Sequence, residues 1–198
     1  MHTPAFVGVP PVIPYLSLGS PGRVALALAY AGLKRAAILD GAFEKRVSEG
    51  KPVTTESTRI TPVLYTYRCA RDLFVDMEEV ENSLGEIVLV DARDADVYAG
   101  AVIEPWSTKP GHIPTAVSLP ASSLWNTADG TYKSKAEIKA AAEAVIGTCK
   151  KRDIVVYCGV GGYAGTVWFA LTRILNYKNV KVYDGSAQEW TMTNDMEM

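Results

Sequence analysis

Ile154-Val155-Val156-Tyr157-Cys158-Gly159-Val160-Gly161-Gly162-Tyr163-Ala164 decides how this chain folds. Ile154 to Tyr157 is a short, wholly apolar run, the pattern of a strand buried on both faces of a parallel sheet. Beyond the glycines, Val167, Leu171, Ile174 and Leu175 recur at helical spacing. A strand-to-helix turn thus carries one cysteine followed by three glycines in four positions. Glycines there let the backbone curl with positive φ and turn several N–H groups inward, a nest for an anion capped by a helix N-terminus. Only thiolate attacks, and helix N-termini and clustered N–H donors are settings that lower a cysteine pKa. Cys158 is therefore expected to ionise readily and to act as a nucleophile.

Working outward, the same alternation repeats. Asp76 with Glu79 reads as a capped helix start, with Val80 and Leu84 on one face and Gly85 as the stop. Ile87 to Val90 is a second apolar strand, ending at Asp91. Residues 92–111 lack periodicity and read as a long loop opening with a helical turn, and Thr115 to Leu119 as a further strand. Ser134 with Glu137 opens a helix carrying Ile138, Ala141, Val145 and Ile146, and Val180 to Tyr183 is the last strand. Strands separated by helices predict an α/β fold with a mostly parallel central sheet flanked by helices on both faces. Right-handed crossovers place the strand-to-helix turns along one edge.

The 198 residues are 48% hydrophobic, with 20 basic against 22 acidic side chains and a net charge of -2. No basic excess is present to neutralise phosphates or hold an anionic membrane surface, so neither nucleic acid nor membrane is expected as a partner. Three cysteines (Cys69, Cys149, Cys158) are an odd number in a chain too large to need stapling, which points to free thiols in a reducing, cytoplasmic setting. The cysteines and two histidines show no paired ligand spacing, so no metal is expected.

The N-terminal third contains an echo. Arg23 to Gly41 runs as a helix (Val24, Leu28, Ala31), a Gly32 stop, a strand and Asp40-Gly41, and Asp184-Gly185 closes the same order 144 residues later. Subtracting that offset leaves the first copy without roughly its first half. The expected organisation is a partial, inactive repeat with its linker at 1–60 and a complete unit at 61–198, the linker being the Thr-, Ser-, Pro- and Glu-rich Lys51 to Thr61. An incomplete sheet exposes apolar faces, so residues 1–60 are expected to pack on the complete unit or on a second chain as a homodimer.

Three ordered segments, the Cys158 loop, Gly111-His112-Ile113-Pro114-Thr115-Ala116-Val117 and Asp184-Gly185-Ser186-Ala187-Gln188-Glu189-Trp190, resemble the rhodanese family over about Leu73 to Trp190. The partial repeat then looks like the remains of a first rhodanese domain, as in tandem sulfurtransferases whose second domain is active. At the equivalent turn, Pro14-Tyr15-Leu16-Ser17-Leu18-Gly19, no cysteine stands. The resemblance implies a two-step transfer without cofactor. Cys158 takes sulfane sulfur from a donor such as thiosulfate and passes it to cyanide or a thiol. Gly159, Val160, Gly161, Gly162, Tyr163 and Ala164 would bind substrate.

Departures from the family pattern bear on the substrate. Gly159, Val160 and Gly161 match neither the Arg- and Lys-bearing loop of thiosulfate-specific relatives nor the Gly, Ser, Gly of mercaptopyruvate-specific ones, and the family's substrate-binding arginine is Val97 here. A dianion would be held by backbone donors, by Tyr163 or from the Glu104 to Lys109 loop, with Lys109 the first candidate. Asp91 with Arg93, and His112, are expected to support the site rather than react. Tyr98, Trp106 and Trp125 are candidates for its mouth, and Tyr183 and Trp190 for packing. A phosphatase or arsenate reductase of related architecture would need an arginine near the loop's end, where Tyr163 and Ala164 stand. A non-turnover persulfide carrier or sensor, or an inactive interaction module, stays open as the second reading.

Overall fold

The computed structural model describes residues 20–33, 36–57 and 68–198. Helices α1 (Ser20–Tyr30) and α2 (Ala42–Ser48) come first, followed by β1 (Phe74–Val75), α3 (Met77–Asn82), β2 (Val88–Asp91), α4 (Ala95–Tyr98) and β3 (Val117–Ser118). Then come α5 (Lys135–Ile146), β4 (Asp153–Tyr157), α6 (Gly162–Phe169), β5 (Asn179–Tyr183) and α7 (Ser186–Thr193). α6 runs on into a π-helical segment, Ala170–Ile174. The five strands form one sheet in the order β1-β5-β4-β2-β3, every pair parallel.

β4 lies at the centre, and its side chains alternate between two cores. Ile154 and Val156 pack with Ile138, Ala142 and Ile146 of α5, with Val167 and Leu171, and with Leu26 of α1. Val155 and Tyr157 pack on the other face with Val80 of α3 and Ala187 and Trp190 of α7. Helices therefore cover both faces of an all-parallel sheet. Reciprocal capping boxes, Asp76 with Glu79 and Ser134 with Glu137, start α3 and α5. They satisfy amide donors that the first helical turn leaves without partners.

The strands differ from the sequence pattern at several points, and β1 stands where no strand was expected. Of Thr115 to Leu119 the strand keeps only Val117–Ser118, with the Leu119 amide donating to the Asp91 carbonyl at 2.9 Å; it cannot start at Thr115, whose φ of 68° is a left-handed conformation that no strand accommodates. The strand expected at Ile87 to Val90 is shifted by one residue, so that Asp91 pairs with Tyr157 inside the sheet. The strand expected ahead of Asp40 does not join this sheet among the described residues. Pro14 to Gly19 lies outside the described residues.

A buried polar knot fixes the end of β4 where the cysteine emerges. The Arg93 guanidinium donates to both oxygens of Asp91, at 3.0 Å from Nε and 2.6 Å from Nη2, with the two side chains 1% and 0% exposed. It also donates to the Gly111 carbonyl at 2.8 Å. The Tyr157 hydroxyl donates to Asp91 at 2.7 Å and accepts the Ile113 amide at 3.0 Å. Burial alone would lower the Arg93 pKa, but the hydrogen-bonded Asp91 charge raises it above its ordinary value. Each partner is fully satisfied, which is the condition under which a buried ion pair is tolerable.

The N-terminal segment packs on the sheet domain of its own chain. α1 crosses α6 where Gly22 meets Gly165, backbone against backbone. A Cβ on Gly165 would lie 2.7 Å from the Arg23 amide nitrogen, and one on Gly22 would lie 2.5 Å from that of Thr166. Ala25 and Leu26 are buried in this contact. Removing the carboxylate from the polar knot leaves Arg93 buried and unpaired. Asp91→Ala is expected to lower the unfolding free energy by about 3–5 kcal/mol in urea titration; a loss under about 1 kcal/mol would show that the knot does not hold β4.

Candidate active site

Cys158 follows β4 directly and is 1% exposed. Its sulfur accepts the Gly161 amide at 3.0 Å, and the amides of Ala164, Val160 and Tyr163 also donate to it. Tyr163 and Ala164 lie in the first turn of α6, where amides have no partner within the helix. Burial nevertheless pushes the thiol above its ordinary value, and the four amides pull against that without reversing it. The expectation of a readily ionised thiol is thus corrected. The donors converge on the sulfur, but they do so in a site from which water is largely excluded, and desolvation penalises the charged form more.

The loop's outward face is held as firmly as its inward one. The Cys158 carbonyl accepts the Ala187 amide at 2.9 Å, and the Gly159 carbonyl accepts the Gln188 amide at 3.1 Å. Both donors belong to the first turn of α7. The Cys158 amide donates to the Ser186 hydroxyl at 3.2 Å, which itself donates to the Tyr183 carbonyl at 3.0 Å. Ser186 sits at φ 57°, so the Asp184-Gly185-Ser186 turn presents these groups at a backbone angle uncommon for a residue with a side chain.

The glycines meet different surroundings. Gly161 adopts φ 82°, and a Cβ there would overlap the Arg23 guanidinium and the Asp184 carboxylate. Gly159 has no such angle; its Cβ would overlap the Trp106 indole nitrogen and the Glu104 carboxylate. Gly162 meets neither constraint, with no heavy atom within 4 Å of the space a Cβ would fill. The positive φ expected across the glycine run is confined to Gly161.

Of the other residues singled out from sequence, Val160 and Tyr163 reach the surface of the loop, 38% exposed each. The Tyr163 ring lies 6.3 Å from that of Trp125. Trp106 lies over Gly159, whereas the Tyr98 ring is stacked on His112 at 3.8 Å. His112 Nδ1 faces the Tyr98 carbonyl at 3.0 Å, and its backbone pairs with Glu197. The Asp91 carboxylate accepts the amide of Arg93 rather than that of any Cys158-loop residue. Val97 is buried in α4. Tyr183 and Trp190 are core residues.

The Lys109 side chain is engaged by other groups. Its ammonium is held at 2.8 Å by the Asn194 carbonyl and at 2.8 Å by the Asp195 carboxylate, beyond the end of α7. The group this loop brings to the site is an acid. Glu104 lies against Gly159 and accepts the Trp106 indole N–H at 3.0 Å. Its half-buried position raises its pKa, with the Trp106 hydrogen bond and the Arg93 charge opposing. Tyr163 is also pushed up, by burial and then by the charges of Asp94, Glu104 and Cys158.

Two further residues escaped the sequence pattern. The Arg23 guanidinium donates to the Val160 carbonyl at 2.8 Å and pairs with Asp184 at 3.3 Å. Nothing near Arg23 in sequence points to the loop. Ser186 stood inside a recognised motif, but only the fold shows its hydroxyl between β4 and β5.

The chain is 34% identical over 174 residues to the sulfur carrier protein TtuD of Thermus thermophilus, covering 81% of this chain and 60% of that protein. It is 33% identical over 166 residues to a protein of Mycobacterium leprae named as a candidate thiosulfate sulfurtransferase, covering 77% and 57%. It therefore spans about three fifths of the length of these curated relatives. Among solved structures, EanB carrying a cysteine persulfide with ergothioneine matches 95% of this chain and 51% of its own, with TM-score 0.82 and 23% identity, a likeness of fold. An EanB variant in complex with hercynine matches 90% and 44%, with TM-score 0.78 and 25% identity. Residues 76–193, which hold four of the sheet's five strands, the cysteine loop and α7, match the model of the Rhodanese-like domain, and the chain belongs to that family.

Proposed function

We propose that this chain is a sulfurtransferase that carries sulfane sulfur as a persulfide on Cys158. The observation that carries the reading is the convergence of four backbone amides on one buried sulfur at the N-terminus of α6. The Cys158 thiol loses its proton to solvent and the thiolate attacks the outer sulfur of a donor such as thiosulfate. The Cys158–S bond forms, the donor's S–S bond breaks, and sulfite leaves with the electron pair. Cyanide or a thiolate then attacks the terminal sulfur, and Cys158 departs as thiolate. The same amides stabilise negative charge on sulfur in both steps, without the reorganisation that water would require.

Residues 61–198 form the complete, active unit in this reading, and 1–60 a partial repeat with its linker. A shared turn supports it. Ala42 and Ser186, 144 residues apart, both sit in the left-handed region, at φ 56° and 57°, and each begins a helix. Each Asp-Gly aspartate also reaches across, Asp40 to the Tyr132 amide at 2.7 Å and Asp184 to Arg23 at 3.3 Å.

Thiosulfate is expected to add one sulfur to the intact protein by mass spectrometry, cyanide to remove it, and Cys158→Ala to abolish the adduct. An adduct that survives this substitution would sink the reading. Because burial raises the thiol pKa, the rate of sulfur uptake should climb with pH through a limb centred above the ordinary cysteine value of about 8.5. A rate already flat above about pH 7 would mean that the amides outweigh burial.

Glu104 sets the preference among donors. Its carboxylate beside Gly159 repels a dianion, so Glu104→Gln is expected to lower the KM for thiosulfate about three- to tenfold, roughly 0.7–1.4 kcal/mol. Lys109→Ala should leave that KM within about twofold, its charge being already matched by Asp195. The reverse ranking would put the donor on the Lys109 side of the loop.

A further inference from the structure

Three consecutive carbonyls of the cysteine loop point away from the sulfur, and each has its own donor. Those of Cys158 and Gly159 are held by the main chain of α7, part of the same domain. The third, from Val160, is held by the Arg23 side chain, which arrives from a helix 137 residues earlier. The Val160–Gly161 peptide is the one whose N–H reaches Sγ at 3.0 Å. A trans peptide is planar with its oxygen and hydrogen on opposite sides, so whatever fixes the oxygen fixes the hydrogen. Without an anchor this unit could rotate, because Gly161 has the torsional freedom that a bulkier residue lacks.

We propose that Arg23 is a positioning residue for the Cys158 sulfur: its guanidinium holds and polarises the Val160–Gly161 peptide, so that the Gly161 N–H stays aimed at Sγ. The inference rests on the persulfide reading above and gives the N-terminal segment a part in it. Asp184, one residue beyond β5, pairs with the guanidinium at 3.3 Å and keeps it over the loop. A cation at a carbonyl oxygen draws charge through the peptide and makes its N–H the stronger donor. A charge-assisted hydrogen bond is also about twice as strong as a neutral one.

Docking of α1 does not depend on this contact. The helix is seated by the Gly22–Gly165 approach and by buried Ala25 and Leu26, while the Arg23 side chain is 48% exposed. Shortening Arg23 therefore removes the clasp and leaves the helix in place. Gly161 itself cannot serve as the test, since any Cβ there overlaps the guanidinium and meets a positive φ.

The test is a thiolate titration of the full chain by ultraviolet absorbance, with the Cys158→Ser chain subtracted to remove Cys69 and Cys149. Arg23→Ala is expected to raise the Cys158 midpoint by about one pH unit, about a tenfold loss of thiolate at a given pH below it. Arg23→Lys, which keeps a cation over the loop, should recover most of the shift, and Arg23→Gln little of it. Circular dichroism melts in the same series report α1 docking separately. A midpoint unchanged in Arg23→Ala, or one raised equally in Arg23→Lys, overturns the proposal. Thiosulfate labelling of the same wild-type sample separates the two claims. Absence of a Cys158 persulfide would defeat the sulfurtransferase reading while leaving the titration, and hence the role of Arg23, to be decided on its own readout.

Discussion

A planar peptide cannot present both of its polar ends to the same place, and the cysteine loop is built on that constraint. Between Cys158 and Gly161 the oxygens are claimed from outside by Ala187, Gln188 and Arg23. The amides of Val160 and Gly161 are left facing the sulfur. α6 adds Tyr163 and Ala164 from its first turn, donors that any helix start leaves free. The loop is thus less a property of its glycines than of the three elements that surround it. Gly161 needs glycine for its positive φ, Gly159 is bare where Trp106 and Glu104 lie against it, and Gly162 has nothing within 4 Å of the space a Cβ would fill.

Two opposing effects then act on one atom. The packing that anchors the loop also buries Cys158, and loss of water favours the thiol over the thiolate. The amides favour the thiolate, and here they are the weaker influence. In the proposed reaction this combination suits a sulfur that is charged only during transfer. A permanently ionised cysteine would be open to oxidation, whereas a buried thiol facing preorganised donors waits for a substrate that completes its environment. In the same proposed reaction Glu104, itself half-buried and raised, adds a second brake by placing latent negative charge beside Gly159.

The sheet was legible because its strands are short, apolar and separated by helices with recognisable caps. Ile154 to Tyr157 and the boxes at Asp76 and Ser134 are local signals, and local patterns carry them intact. Thr115 failed because a positive φ at a β-branched residue is imposed by its surroundings and leaves no trace in hydropathy. At the site, the nucleophile was readable from one loop, but its ionisation was not, since burial depends on what α7 and residues 104–106 cover. Lys109 was a reasonable cation by proximity in sequence; Asp195, 86 residues away, claims it. Arg23 lay beyond any local pattern for the same reason.

That last contact alters what the N-terminal segment is for. A segment that merely covered an apolar helix face could be replaced by any amphipathic surface. Here the crossing of α1 and α6 is close enough for Gly22 and Gly165 to touch, and this closeness brings a residue one position along, Arg23, over the glycine loop. The covering helix and the loop's third anchor are therefore the same element. α1 cannot be lost without opening both the Leu26 core contact and the clasp on Val160. A segment with no cysteine among its described residues is in this way held to the fold by packing and to the cysteine loop by one guanidinium.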